Sequence, residues 1–262
     1  MTDTTDVRPG SVAVGFCHGI EVAAGFANSL ASLLIYELTG PDERLRQILP
    51  VYGGVNVSNG RNDIVRAFLN GDCEWLWMVD ADMTFTRDTL AKMLSVADPE
   101  RFPVVGALAF GVHNGDLFPT LYGVLPDPET GKPGTVRFDT YPRNRLFPVV
   151  ATGAACLLIH RSALQAMADA GYNRTFPWFQ ETEFNGAPCG EDMTFCFRLA
   201  KLGIPIHVHT GIGVGHQKAY VLSESMYRDQ RAAKGLLADV DPDAAEEAAR
   251  ELDADAAVDD GR

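Results

Sequence analysis

The 262-residue sequence predicts an α/β domain built on a mostly parallel sheet with helices on both faces. Three observations carry this. Short apolar runs rich in Val, Phe, Leu and Trp alternate with longer stretches whose apolar residues recur at helical spacing. The connections between them are short through the first 110 residues. No run approaches the ~20 apolar residues of a membrane span, so no contact with a membrane is expected.

The elements follow in order. SVAVGFC (11–17) reads as a buried strand, and EVAAGFANSLASLLIYELTG (21–40) as a helix stopped by Gly40. RQILPVYG (46–53) is a second strand, VNVSNG a loop, and RNDIVRAFLNG (61–71) a short helix closed by glycine. EWLWMV is a third strand. Thr86 is placed to cap the helix RDTLAKMLSVA. FPVVGALAF (102–110) is a fourth strand. Between Gly111 and Pro148 the alternation breaks into a turn-rich insert with short β-like pieces. TGAACLLIHRSALQAMADAG then reads as strand and helix, GEDMTFCFRLAKLG as a helix, and IPIHVHTGIGVGH as a last strand and loop. SESMYRDQRAAKGLLA is a C-terminal helix.

The net charge of −13 is uneven. Ten acidic against two basic residues leave −8 on Ala238–Arg262, and −5 on the remaining chain. That Ala/Asp/Glu-rich tail reads as solvated and partly disordered. An acidic chain argues against broad nonspecific binding to duplex DNA, which relies on neutralising phosphates. MTDTTDVRPGS lacks the basic and apolar segments of a signal peptide. The five cysteines show no CxxC spacing, and free thiols in a reducing cytoplasm are expected.

WLWMVDADMTF poses the chemical question. An apolar strand runs into two aspartates, Asp80 and Asp82, separated by Ala81. In an extended chain alternate side chains share a face, so both carboxylates are expected to point the same way. They lie at the carboxyl end of a central strand, the rim where open α/β sheets bind ligands. Two carboxylates that close repel, and a divalent cation removes the conflict. Mg2+ or Mn2+ commonly bridges carboxylates to substrate phosphates, so the pair asks for a metal–diphosphate site. Such pairs also occur on exposed turns and as helix caps.

The order of NGRNDIVRAFL, WLWMVDADMTF, ATGAACLLIHRSAL, GEDMTFCFRLAKLGIPIHVHT and GVGH resembles the type A glycosyltransferase fold. Within it the chain is similar to small soluble family 2-like enzymes, including versions often encoded by bacteriophages. The resemblance covers roughly residues 11–220. It implies a Rossmann-like nucleotide-binding half (11–110) and an acceptor half (111–237) in one domain, between an N-terminal extension (1–10) and the acidic tail (238–262). It implies transfer of a sugar from a nucleotide-diphosphate sugar, aided by Mn2+ or Mg2+, in the cytoplasm, that of a bacterial host if the gene is viral. The acceptor is open: a protein, a glycan, a small molecule or a modified DNA base.

The resemblance also implies roles. Asp82 is the metal ligand and Asp80 binds the metal, the ribose or both, with Ala81 against the nucleotide. His216 is the third ligand. Asp192 is the base that deprotonates the acceptor hydroxyl, and Glu191 positions the acceptor or the base. Acidic residues in a first helical turn also favour the helix dipole and need no catalytic task. Arg61 and Asn62, read as helix-start residues, are assigned to phosphate or nucleotide contact, helped by the helix N-terminus. Cys17, His18 and Glu21 face the base or ribose, and Gly153 lets backbone approach the donor sugar. Trp178 either stacks on an acceptor or fills core. His207 and His209 are read as structural. Two rival readings are a nucleotidyltransferase that makes a nucleotide sugar and a noncatalytic carbohydrate-binding or assembly protein. SVAVGFCHGIEVAAG lacks the glycine-rich signature of the first, and the joint set of Asp80, Asp82, Asp192 and His216 argues against the second.

Overall fold

A computed structural model describes residues 11–53, 56–113, 115–126, 133–173, 177–184, 186–218 and 224–234. The chain divides into two compact units, one ending at Lys218 and the other starting at Ala219. In the first unit β1 (Val12–His18), α1 (Ala24–Thr39), β2 (Leu45–Tyr52), α2 (Val57–Asn70) and β3 (Trp75–Val79) lead to β4 (Met83–Thr84) and α3 (Thr89–Leu94). Then come β5 (Val104–Leu108), the hairpin β6 (Phe110–His113) and β7 (Asp116–Pro119), and β8 (Leu121–Pro126), β9 (Pro133–Arg137), β10 (Leu146–Val149) and β11 (Ala151–Thr152). β12 (Cys156–His160), α4 (Arg161–Asp169), β13 (Thr182–Phe184), β14 (Ala187–Cys189), α5 (Glu191–Lys201), β15 (Ile206–Gly213) and β16 (Gly215–His216) complete it. In the second unit α6 (Glu224–Ala233) lies within the C-terminal helix expected from sequence. The extension 1–10 and the acidic tail lie outside the described residues.

The central sheet has seven strands in the order β10-β15-β5-β12-β3-β1-β2. β2, β1, β3, β5 and β15 share one direction, while β12 and β10 run against it. The mostly parallel sheet flanked by helices is as expected. Alternate residues of each strand feed opposite cores. Val12, Val14, Trp75 and Trp77 pack with Phe26 and Leu33 of α1 and Leu90 and Met93 of α3. Ala13, Leu76 and Met78 pack with Ile64 and Phe68 of α2, Leu164 of α4, and Phe195 and Leu199 of α5. Because both faces are covered, the inner strands read as continuous apolar runs rather than alternating ones. No described helix is long and apolar enough to cross a membrane, and all five cysteines are free.

Three boundaries differ from the sequence reading. α1 starts at Ala24 rather than at 21, because residues 19–23 loop over the strand ends, where Ala23 N–H donates to Ala81 O at 3.0 Å. α2 starts at Val57, one turn before the expected Arg61: Asn56 Oδ1 accepts from Asn59 N–H at 3.1 Å and caps it there. α3 begins only at Thr89, with Asp88 as its cap residue; Thr86 Oγ1 instead bonds to the side chains of Asp88 and Thr89. Gly203 follows α5 with φ +72, a conformation that suits glycine.

Candidate active site

The carboxyl ends of β1 and β3 open into a cavity of about 430 Å3. Cys17, His18 and Glu21 line it together with Asp80, Ala81 and Asp82 and with His216 and Lys218. Seven of the residues nominated from sequence therefore meet in one cleft. Lys218 was not among them; GHQK carries it past the last strand, where no periodic pattern singles it out.

The chain turns as soon as β3 ends. Met83 N–H donates back to Asp80 O at 3.0 Å, so residues 80–83 form a turn, not an extended strand. The two aspartates are thus not alternate residues of an extended strand, as the sequence reading supposed, although both line the same cleft. They bind different partners.

Asp82 faces the second half of the chain. β4 pairs with β16, setting His216 opposite Met83, and Gln217 N–H donates to Asp82 O at 2.8 Å. This short ladder delivers His216 across 134 positions: its Nε2 lies 3.0 Å from Asp82 Oδ2. Nδ1 lies 3.0 Å from Phe110 O. A carbonyl only accepts, so Nδ1 carries a hydrogen; Nε2 then meets the carboxylate with a lone pair in the neutral ring or with a second N–H in the charged one. In the neutral ring, two electron-rich atoms so close call for a proton or a cation between them. Histidine metal ligands are typically oriented by such a carbonyl on the other nitrogen. The donor set thus fits a divalent ion. Lys218 Nζ also donates to Asp82 Oδ2, at 2.9 Å. Burial works to raise the Asp82 carboxyl, but the Lys218 hydrogen bond and the neighbouring His216 outweigh it and hold it below its ordinary value.

Asp80 faces Arg61, whose Nη2 donates to both of its carboxylate oxygens, at 2.7 and 3.0 Å. The other terminal nitrogen, Nη1, bonds to Glu191. The Arg61 side chain is only 5% exposed and lies in the second turn of α2. A role assisted by the helix N-terminus is corrected accordingly: the guanidinium is turned inward, its two terminal nitrogens are engaged by protein carboxylates, and its buried Nε has no hydrogen-bond partner among the described residues. Burial would lower its proton affinity, yet Asp80 and Glu191 more than compensate and hold it charged. Among the described residues no three His, Cys, Asp or Glu side chains converge on a common metal position. Of the expected ligand trio, Asp82 and His216 are together, while Asp80 is engaged by Arg61.

Asn62 is likewise turned into the core, 1% exposed. Its amide donates to Ser58 O and Phe179 O, each at 2.7 Å, and accepts from Phe179 N–H at 3.0 Å. With its amide so committed it is a strut beneath the site, not a nucleotide contact. Trp178 resolves the same way: 4% exposed, with its indole donating to Leu164 O, it fills core. His207 and His209 lie in β15 and line no part of the cleft.

Glu191 and Asp192 open α5. Asp192 Oδ1 accepts from Met193 N–H at 2.7 Å. A Cβ built on Gly153 would stand 3.7 Å from Asp192 Oδ2, so Gly153 leaves backbone beside this carboxylate. Burial raises the Asp192 carboxyl, Glu191 and Asp80 add to it, and Arg61 pulls the other way; the net shift is upward. A carboxylate lifted by its surroundings is a stronger base. Cys17 is no nucleophile at neutral pH: burial, with help from Asp80 and against Arg61, pushes its thiol to about 11.

This architecture is the type A glycosyltransferase fold, as the likeness to a solved glycosyltransferase bears out. One neighbour is GalNAc-T7, whose crystal structure was solved with UDP, GalNAc and Mn2+; TM-score 0.50, identity 10%, covering 79% of this chain and 44% of that one. A197 from STIV covers 81% of this chain and 96% of its own, at TM-score 0.46 and 15% identity. No family model and no curated protein matches the sequence.

Proposed function

We propose that the protein is a metal-dependent glycosyltransferase that moves a sugar from a nucleotide-diphosphate sugar to a hydroxyl acceptor. The observation that carries this is the Asp82–His216 pair, two ligand-type atoms 3.0 Å apart at the carboxyl end of the central strand. In this reading Asp82 and His216 hold Mn2+ or Mg2+, with Asp80 beside them. Such an ion neutralises the diphosphate as it leaves. Cys17, His18 and Glu21 line the cleft and are assigned to the base and ribose. Mn2+ and UDP bound by GalNAc-T7 agree with this assignment for the fold neighbour.

The protein's own groups do the rest. Asp192 accepts the proton of the acceptor hydroxyl as it attacks the anomeric carbon, with inversion. Arg61 ties Asp80 on the donor side to Glu191 beside the base. The acceptor approaches from the side of Asp192, and the backbone at Gly153 beside it leaves room for the donor sugar. The test is a thermal-shift screen of nucleotide sugars with Mn2+, followed by hydrolysis of any that bind. The reading expects at least one donor to stabilise the protein and to be cleaved. Diphosphate release from a nucleoside triphosphate and a sugar phosphate, with no donor cleaved, would establish a nucleotidyltransferase instead.

A further inference from the structure

Two nitrogens share one oxygen in the cleft. Lys218 Nζ stands 2.9 Å and His216 Nε2 3.0 Å from Asp82 Oδ2. The two differ in freedom. The imidazole is oriented by Phe110 O and carried on the β4–β16 ladder. Lys218 lies beyond that ladder on a four-carbon arm, 38% exposed, and among the described residues Asp82 is its ion-pair partner. A divalent ion held between Asp82 and His216 draws on the same Oδ2 that the ammonium now uses. It also places two positive charges beside a third, and like charges that close repel. Ion and ammonium therefore compete for this oxygen.

We propose that Lys218 is a resident counter-cation of Asp82 that competes with the divalent ion, and that metal entry moves its ammonium into the cleft, where a diphosphate receives it. This rests on the reading of Asp82 and His216 as metal ligands. It makes metal and nucleotide interdependent: the ion alone binds weakly because it must displace Lys218, and the diphosphate offsets that cost by giving the ammonium a new partner. Such coupling is reciprocal.

The test uses Mn2+ alone on the full chain, with the free-ion signal read by electron paramagnetic resonance. Lys218→Met tightens Mn2+ binding by about tenfold, since it removes both a contact competitor and a nearby like charge. Arg66→Met removes the same charge from an exposed carboxylate partner on α2 and stays within about twofold of the parent, reporting the effect of net charge alone. Tightening in Lys218→Met but not in Arg66→Met establishes the competition. If the parent binds Mn2+, Asp82→Asn abolishes that binding, and Lys218→Met stays within about twofold of the parent or binds more weakly, the role of Lys218 is overturned while the metal site stands. If neither the parent nor Lys218→Met binds Mn2+, the proposal and the metal reading fall together.

Discussion

Arg61 holds Asp80 by both carboxylate oxygens, at 2.7 and 3.0 Å from a single guanidinium nitrogen. Its other terminal nitrogen reaches Glu191, 130 positions later. One buried cation thus ties the turn after β3 to the start of α5, and with them the two ends of the proposed reaction.

Removing that cation leaves Asp80 and Glu191 facing each other without compensation. Arg61→Met is expected to lower unfolding stability by about 3–5 kcal/mol, the range for breaking a buried ion pair from one side. Urea denaturation measures it. A loss under about 0.5 kcal/mol would mean that the bridge contributes nothing net to the fold.

Asn62 separates structure from binding. Asn62→Ala forfeits three hydrogen bonds, two with Phe179 and one with Ser58, and is expected to cost about 2–3 kcal/mol, while leaving Mn2+ affinity within about twofold of the parent. Calorimetric melting and metal titration on the same sample give both numbers. A folded variant that loses metal affinity with little loss of stability would return Asn62 to the site.

Gly60 lets α2 press against the end of β1. A Cβ there would meet Cys17 Sγ at 2.6 Å and the Gly53 Cα at 3.0 Å. Gly60→Ala is expected to destabilise by about 1–2 kcal/mol despite better helix propensity, and Cys17→Ala in the same chain should recover part of the loss. A double-mutant cycle in urea measures the coupling. Zero coupling would show that the thiol is not what resists the methyl.

Much of this arrangement is legible in the sequence, and the failures have causes. EWLWMV announces a strand buried on both faces, and Asp82 stands out because it follows that strand, His216 because it follows the last one. The turn at Asp80 was not legible, because it depends on a backbone hydrogen bond from Met83. The first turn of α2 was hidden by VNVSNG, whose Asn and Gly read as a turn, although Asn56 caps a helix there. Nothing in a local pattern shows that Asn62 is turned inward, since its partner lies 117 residues away. Nor does it show that β12 enters the sheet antiparallel between β5 and β3.

Asp192 yields a prediction with a sign. Its carboxyl is raised in the fold, by burial first and then by Glu191, against Arg61. A group raised in this way favours the fold while protonated, below the ordinary aspartate range, and loses that contribution as pH rises through its folded value. At neutral pH the ionised form is a cost. Asp192→Asn keeps the shape and the acceptor oxygen for Met193 N–H, so it is expected to stabilise the protein at about pH 7, with the gain vanishing in acid. Transfer by the same variant should fall about 10²- to 10⁴-fold. Equal stability at both pH values, with transfer within about threefold of the parent, would reduce Asp192 to a helix-start carboxylate.

The central claim is that Asp82 and His216 hold a divalent ion for nucleotide-sugar chemistry. The most direct measurement is turnover of whichever nucleotide sugar the thermal screen selects, with the parent and Asp82→Asn each assayed in chelator and again after excess Mn2+ is restored. The account predicts that the parent stops in chelator and recovers fully with Mn2+, and that folded Asp82→Asn is inactive in both conditions. Full turnover of the parent in excess chelator, or an Asp82→Asn variant as active as the parent, would contradict it.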